Sequence, residues 1–96
     1  MIIVNATLPV KEEKIDDAIK QAETLINASR QHKGNISYNL YRDVLDDSLI
    51  FIEKWESQEA LQAHMQTPEF VEFGENIKEY LTDELGIKLI AGEEVK

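Results

Sequence analysis

The segment Leu49–Glu56 constrains this chain more than any other. Leu49, Phe51, Glu53 and Trp55 alternate with Ile50, Ile52 and Lys54, so apolar bulk lies on both sides of one strand. Such a strand is covered on both faces. The segment Ile36–Arg42 precedes it across the polar loop Asp43–Ser48 and alternates Ile36, Tyr38 and Leu40 against Ser37, Asn39 and Tyr41. The two read as a hairpin.

The flanking pattern places this hairpin in a βαββαβ order. Ile2–Leu8 is apolar and β-branched, and Pro9 with the charged run from Lys11 ends it, which predicts a first strand. Between Lys11 and His32 the positions Ile15, Ala18, Ile19, Ala22, Leu25, Ile26 and Ser29 form a helical stripe, closed by His32, Lys33 and Gly34. After the hairpin, Ser57 caps a short helix with Leu61, His64 and Met65 on one face. Thr67 and Pro68 then restart a second helix, with Glu69 complementing its dipole and Phe70, Phe73, Gly74, Ile77 and Leu81 at helical spacing. Gly86 ends that helix before a last strand, Ile87–Ala91. The expected fold is α+β, the ferredoxin-like βαββαβ arrangement with a broken second helix. The helices cover one sheet face. The other is read as presenting Val4, Leu8, Ile50 and Ile52, an apolar patch that a second copy would bury, giving a homodimer joined through sheet faces in the manner of a dimeric α/β-barrel.

At 96 residues the chain is read as one domain spanning 1–96, with 92–96 a frayed tail. Its 43% hydrophobic and 30% charged residues are those of an ordinary globular protein. Ten basic against nineteen acidic residues leave a formal charge of -9, which repels phosphate backbones and anionic lipid and makes nucleic acid and membrane poor partners. There is no cysteine, which excludes disulfides, thiolate nucleophiles and Cys-based metal sites. The start Met-Ile-Ile-Val-Asn has no basic n-region, and no apolar run approaches the roughly 18 residues of a membrane helix, so a cytoplasmic location is the expectation.

Three polar groups are candidates for chemistry. Glu53 lies between the aromatics Phe51 and Trp55 on the helix-facing side of its strand, where a carboxylate needs a partner or a cavity. His64 shares a face with Leu61 and Met65 and should look toward the sheet, where an imidazole can move protons near neutral pH. Asn5 is read as a third inward polar group on the first strand. Each also has a plain structural reading: a paired or edge carboxylate, a satisfied core histidine, an amide bonded to nearby backbone. Around them Trp55, Phe51, Met65, Phe70, Phe73 and one of Tyr38 and Tyr41 would wall a cavity suited to a flat aromatic ligand. No phosphate-binding loop, dinucleotide fingerprint or metal-spaced His or carboxylate pair is present, and His32 and His64 are the only histidines.

The stretches Gly34-Asn35-Ile36-Ser37-Tyr38-Asn39-Leu40-Tyr41, Phe51-Ile52-Glu53-Lys54-Trp55-Glu56, Ala60-Leu61-Gln62-Ala63-His64 and Thr67-Pro68-Glu69-Phe70 together resemble the antibiotic biosynthesis monooxygenase family. The likeness runs from Met1 to about Ala91, and the His64 context is similar to the small quinol-monooxygenase branch. The resemblance implies a cofactor-free, metal-free enzyme in which a deprotonated quinol or phenol itself reduces dioxygen. With the three polar groups converging on one cavity, His64 would be the proton shuttle, Asn5 and Glu53 would position oxygen functions, and Trp55 would form the pocket wall. Where polyketide-pathway members carry an asparagine this chain has Phe51, and Gly74 falls where the haem-degrading branch has its iron-ligating histidine. Two other functions are compatible with the same residues: a dimeric stress-linked protein that binds small aromatics without turnover, and an isomerase or lyase of a small carbonyl compound using His64 and Glu53 as acid and base.

Overall fold

The structure, a computed structural model, describes every residue except Glu94 and Lys96. Strand β1 (Ile2–Leu8) leads through a short 3-10 turn (Glu12–Lys14) into helix α1 (Ile15–Ser29), followed by β2 (Asn35–Arg42) and β3 (Leu49–Trp55). Helices α2 (Gln58–Met65) and α3 (Pro68–Ile77), a 3-10 turn (Lys78–Tyr80) and β4 (Gly86–Ala91) complete the chain. The four strands form one antiparallel sheet in the order β2-β3-β1-β4. This is the ferredoxin-like α+β arrangement.

The core forms where the helical stripe meets one face of the pleat. Ile15, Ala18, Ala22 and Leu25 of α1, Leu61 of α2, and Phe73 and Ile77 of α3 pack on Val4, Leu8, Tyr38, Leu49, Phe51 and Trp55 of the strands. Ala18 and Ala22, both fully buried, let α1 approach the sheet closely. α1 stops at Ser29, three residues before the basic pair that was read as its end. Arg30 turns back instead: its Nε donates to the Tyr38 carbonyl at 3.0 Å and its Nη2 to Asn39 Oδ1 at 3.0 Å, tying the helix end to β2. His32 therefore sits in a turn rather than in the last turn of a helix.

Gly34 enters β2 with φ +84. A Cβ there would meet the Ala60 Cβ at 2.5 Å, so only glycine lets this turn close onto α2. The break between α2 and α3 is built as the sequence predicts. Ser57 Oγ accepts from Ala60 N, Thr67 Oγ1 accepts from Phe70 N, and Pro68 occupies the first turn of α3. Leu81, expected on the α3 stripe, instead bridges Val10, because the chain leaves the helix at Tyr80 and Thr82 N donates to the Pro9 carbonyl at 2.7 Å.

Strand β1 has the opposite phase to the one expected. Val4 stands opposite Glu53, while Asn5 stands opposite Ile52. Residues opposite one another share a face, and a shift of one residue moves every side chain to the other face. Val4 and Leu8 are accordingly buried under the helices, and the outer face carries Ile3, Asn5 and Thr7 beside Ile50 and Ile52. The observed phase is the one the strand's own alternation favours, with Ile2, Val4, Ala6 and Leu8 all apolar and Asn5 and Thr7 making the other face the more polar. β4 pairs with β1 alone, and its helix-side residues Ile87 and Leu89 remain 62% and 59% exposed because no helix reaches them. Of the tail, Gly92 N donates to the Met1 carbonyl at 3.1 Å, Glu93 and Val95 belong to no helix or strand, and positions 94 and 96 lie outside the described residues. No helix among the described residues is long and apolar enough to cross a membrane.

Candidate active site

Between the sheet and the α2–α3 pair lies a cavity of about 160 Å³ with an almost wholly apolar lining. Val4, Ala6 and Leu8 of β1, Tyr38 of β2 and Phe51 of β3 form its floor, Met65, Phe70 and Phe73 its roof, and Leu85, Ile87 and Leu89 its open side. Two titratable groups besides Tyr38 reach it, Glu53 and His64.

His64 arrives because the buried stripe of α2 carries it beside Leu61 onto the sheet. It is 1% exposed and surrounded by rings, with centroids 4.5 Å from Trp55, 5.0 Å from Phe70 and 5.3 Å from Tyr38. Its Nδ1 lies 2.9 Å from His32 Nδ1, and His32 Nε2 in turn lies 2.6 Å from Glu69 Oε1. The remaining nitrogen, His64 Nε2, is buried without a partner. A buried side-chain nitrogen without a partner is uncommon in a folded protein and asks for an explanation. Burial and then the neighbouring His32, partly offset by Glu69, hold the His64 imidazole down at about 4. His64 is therefore neutral at physiological pH.

Glu53 is 5% exposed, and its Oε1 accepts from Trp55 Nε1 at 3.0 Å. Tyr38 stands opposite it on β2. Burial drives the Glu53 carboxyl up to about 7, with hydrogen bonds from Trp55 and Tyr38 pulling it partway back. The Tyr38 hydroxyl is itself held above its ordinary value, first by burial and then by the neighbouring Glu53 charge. Near neutrality Glu53 is thus poised between donor and acceptor, a perturbation typical of functional clefts.

Of the residues singled out in the sequence, Glu53, His64, Tyr38, Phe51, Met65, Phe70 and Phe73 line this one cavity. Tyr41 is exposed on β2, which leaves Tyr38 as the cavity tyrosine. Asn5 does not join them: it lies on the outer sheet face in a separate shallow depression with Thr7, Ile50 and Lys88, so it cannot position a ligand beside His64. Trp55 is fully buried behind the site, its ring tilted against His64 and its Nε1 bonded to Glu53, rather than forming the wall. Sequence reasoning passed over His32 and Glu69, which looked like ordinary helix-terminus residues. Their only signal was that the chain has just two histidines, and nothing local shows that Gly34 docks the His32 turn onto α2. Among the described residues no group of three or more His, Asp or Glu side chains is arranged to hold a metal ion.

A helix-roofed antiparallel sheet with an apolar cavity beneath the break in its second helix defines the class. The chain belongs to the antibiotic biosynthesis monooxygenase family, whose model matches residues 1–76, a stretch that includes Glu53, His64, His32 and Glu69. It is similar to the uncharacterized protein sll1783 of Synechocystis sp., 38% identical over 89 residues, covering 92% of this chain and 60% of that protein. It is also similar to the Bacillus subtilis protein named "Putative monooxygenase YcnE", 32% identical over 88 residues, covering 91% of this chain and 93% of that one. Among solved structures, the crystal structure of an antibiotic biosynthesis monooxygenase matches with a TM-score of 0.91 at 26% identity, covering 98% of this chain and 100% of that one.

Proposed function

We propose that the protein is a cofactor-independent monooxygenase that oxidises a small single-ring quinol or phenol with dioxygen. One observation carries this reading: a buried, neutral imidazole with an unpartnered Nε2, on a cavity that is otherwise apolar. A base in a dry pocket is what a reaction begun by ionising a ring hydroxyl requires. The size of the cavity narrows the substrate. An apolar cavity of about 150 Å³ stays dry and takes one benzene ring, and this one is about 160 Å³. A single ring with small substituents fits, and fused polycycles do not.

In the proposed reaction His64 Nε2 takes the hydroxyl proton. The phenolate then gives one electron to dioxygen, and the radical pair joins at a ring carbon as a peroxide. Protonation of the peroxide and loss of water leave the hydroxyquinone from a quinol, or the quinone from a phenol. One oxygen atom enters the ring and the other departs as water, all electrons coming from the quinol or phenol. Glu53, poised near neutrality beside Trp55 and Tyr38, positions a ring oxygen. The working unit is a cytoplasmic homodimer packed through the outer sheet face, where Ile3, Ile50, Ile52 and Ile90 stand on neighbouring strands.

Oxygen uptake by the metal-stripped protein with a series of hydroquinones tests the reading, with each quinol's spontaneous oxidation subtracted. Uptake should exceed background for monocyclic quinols and fall by about two to four orders of magnitude in His64→Ala, the usual worth of an acid–base group. Quinols that raise the melting temperature without any uptake would make the site a binding module. Turnover under anaerobic conditions would make it an isomerase or lyase.

A further inference from the structure

We propose that Glu69, His32 and His64 form a proton relay in which the proton removed from a ring hydroxyl inside the cavity appears as positive charge on His32, paired with Glu69 at the surface. The inference rests on reading the cavity as a phenol site, and the geometry of the three side chains gives it a direction. A carboxylate only accepts, so the 2.6 Å contact between Glu69 Oε1 and His32 Nε2 places the proton on His32 Nε2. With that single proton on its ring, His32 keeps a bare lone pair at Nδ1. The 2.9 Å contact between the two Nδ1 atoms then obliges His64 Nδ1 to donate. His64, neutral with its one proton on Nδ1, must present a lone pair at Nε2, a buried nitrogen without a partner. The order of the relay therefore fixes a proton acceptor on the cavity.

Its consequence follows when Nε2 takes a proton. An imidazolium on His64 would be a charge 1% exposed among aromatic rings. Shifting the Nδ1 proton to His32 Nδ1 moves that charge to a ring whose side chain is 15% exposed and already bonded to a carboxylate whose side chain is 33% exposed. A charge-assisted bond to a partly solvated carboxylate is much the better place for it. The transfer is conservative: one O–H bond breaks and one N–H forms at His64 Nε2, while one N–H breaks at His64 Nδ1 and one forms at His32 Nδ1. Run backwards, the same chain returns the proton to the peroxide. Glu53 and Tyr38 face the cavity from β3 and β2, and neither is bonded to His64. The path out of the cavity thus runs through His32.

The test uses para-nitrophenol, whose ionised form absorbs in the visible, and its unionisable ether para-nitroanisole. At about pH 6, where imidazole chemistry operates, the wild-type protein should hold para-nitrophenol largely as the phenolate. In His32→Gln, and to a smaller extent in Glu69→Gln, the bound phenolate-to-phenol ratio should fall about tenfold or more, while para-nitroanisole affinity changes less than about threefold. An unchanged ratio in both variants overturns the relay. Nitrogen NMR of the imidazole rings adds a ligand-free readout: His64 should be the Nδ1–H tautomer and His32 the Nε2–H tautomer. A His64 proton found on Nε2 overturns the proposed order. If neither aromatic binds the wild type, the phenol reading fails, and the relay stands or falls on the tautomers alone.

Discussion

Glu53 and His64 are pulled in opposite directions by the same dry surroundings, and this gives the protein's stability a distinctive pH dependence. The Glu53 carboxyl is raised from 4.5 to about 7, so the stability its neutral form contributes is full below pH 4.5 and lost as pH rises to 7. The His64 imidazole is lowered from 6.5 to about 4, so the stability of its neutral form is full above pH 6.5 and lost as pH falls to 4. The two slopes oppose each other across the overlap, each worth on the order of 3 kcal/mol over its whole range. Melting temperatures of the wild type should therefore change little between these limits. Glu53→Gln should leave only the histidine slope and melt lower as pH falls, while His64→Gln should do the reverse. Matching profiles in the two variants would show that these groups do not titrate as placed. Both residues were legible in the sequence, since β3 alternation and the α2 face point them inward. Asn5 was misplaced although Thr7 on its own face and the apolar Val4, Ala6 and Leu8 on the other turn it outward. His32 and Glu69 escaped notice because only a tertiary contact brings them to His64.

At the scale of elements, the break between α2 and α3 sets the site. Thr67 Oγ1 donates to the His64 carbonyl at 2.7 Å and accepts from Phe70 N at 3.4 Å, so a single hydroxyl holds the end of one helix and the start of the next. Thr67→Ala should lower stability by about 1–2 kcal/mol in urea unfolding, whereas Thr67→Ser should cost only a few tenths. Gly34 holds the other side of the relay. With φ +84 and no room for a Cβ against Ala60, Gly34→Ala should destabilise by about 2 kcal/mol or more, and it should loosen the His32–His64 contact, seen as faster solvent exchange of the His32 ring proton. The strands, both helix starts and the break at Thr67 could all be read from periodicity and capping residues. The end of α1 could not. The basic pair and glycine had the composition of a helix terminus, but Arg30 binding to β2 ends the helix earlier, and that interaction depends on the folded sheet.

For the whole molecule, a net charge of -9 and a cavity with no lysine or arginine among its lining residues both disfavour anionic ligands. Methyl para-hydroxybenzoate should bind at least about a hundredfold more tightly than para-hydroxybenzoate itself, a difference of roughly 3 kcal/mol that calorimetry would resolve. The proposed dimer is subject to the same charge. Its dissociation constant in light scattering should fall as salt screens the like charges, and Ile52→Lys on the outer face should give a monomer that keeps its melting transition. The edge strand β4 gives the cavity a boundary unlike the rest of its wall. Ile87 and Leu89 are uncovered there, while His64 and its neighbours Tyr38 and Trp55 lie over β2 and β3 on the far side of the sheet. Bulk matter and charge therefore have separate doorways. A ring can enter past β4 while a proton's charge leaves through the histidines, and the chamber between them need never fill with water.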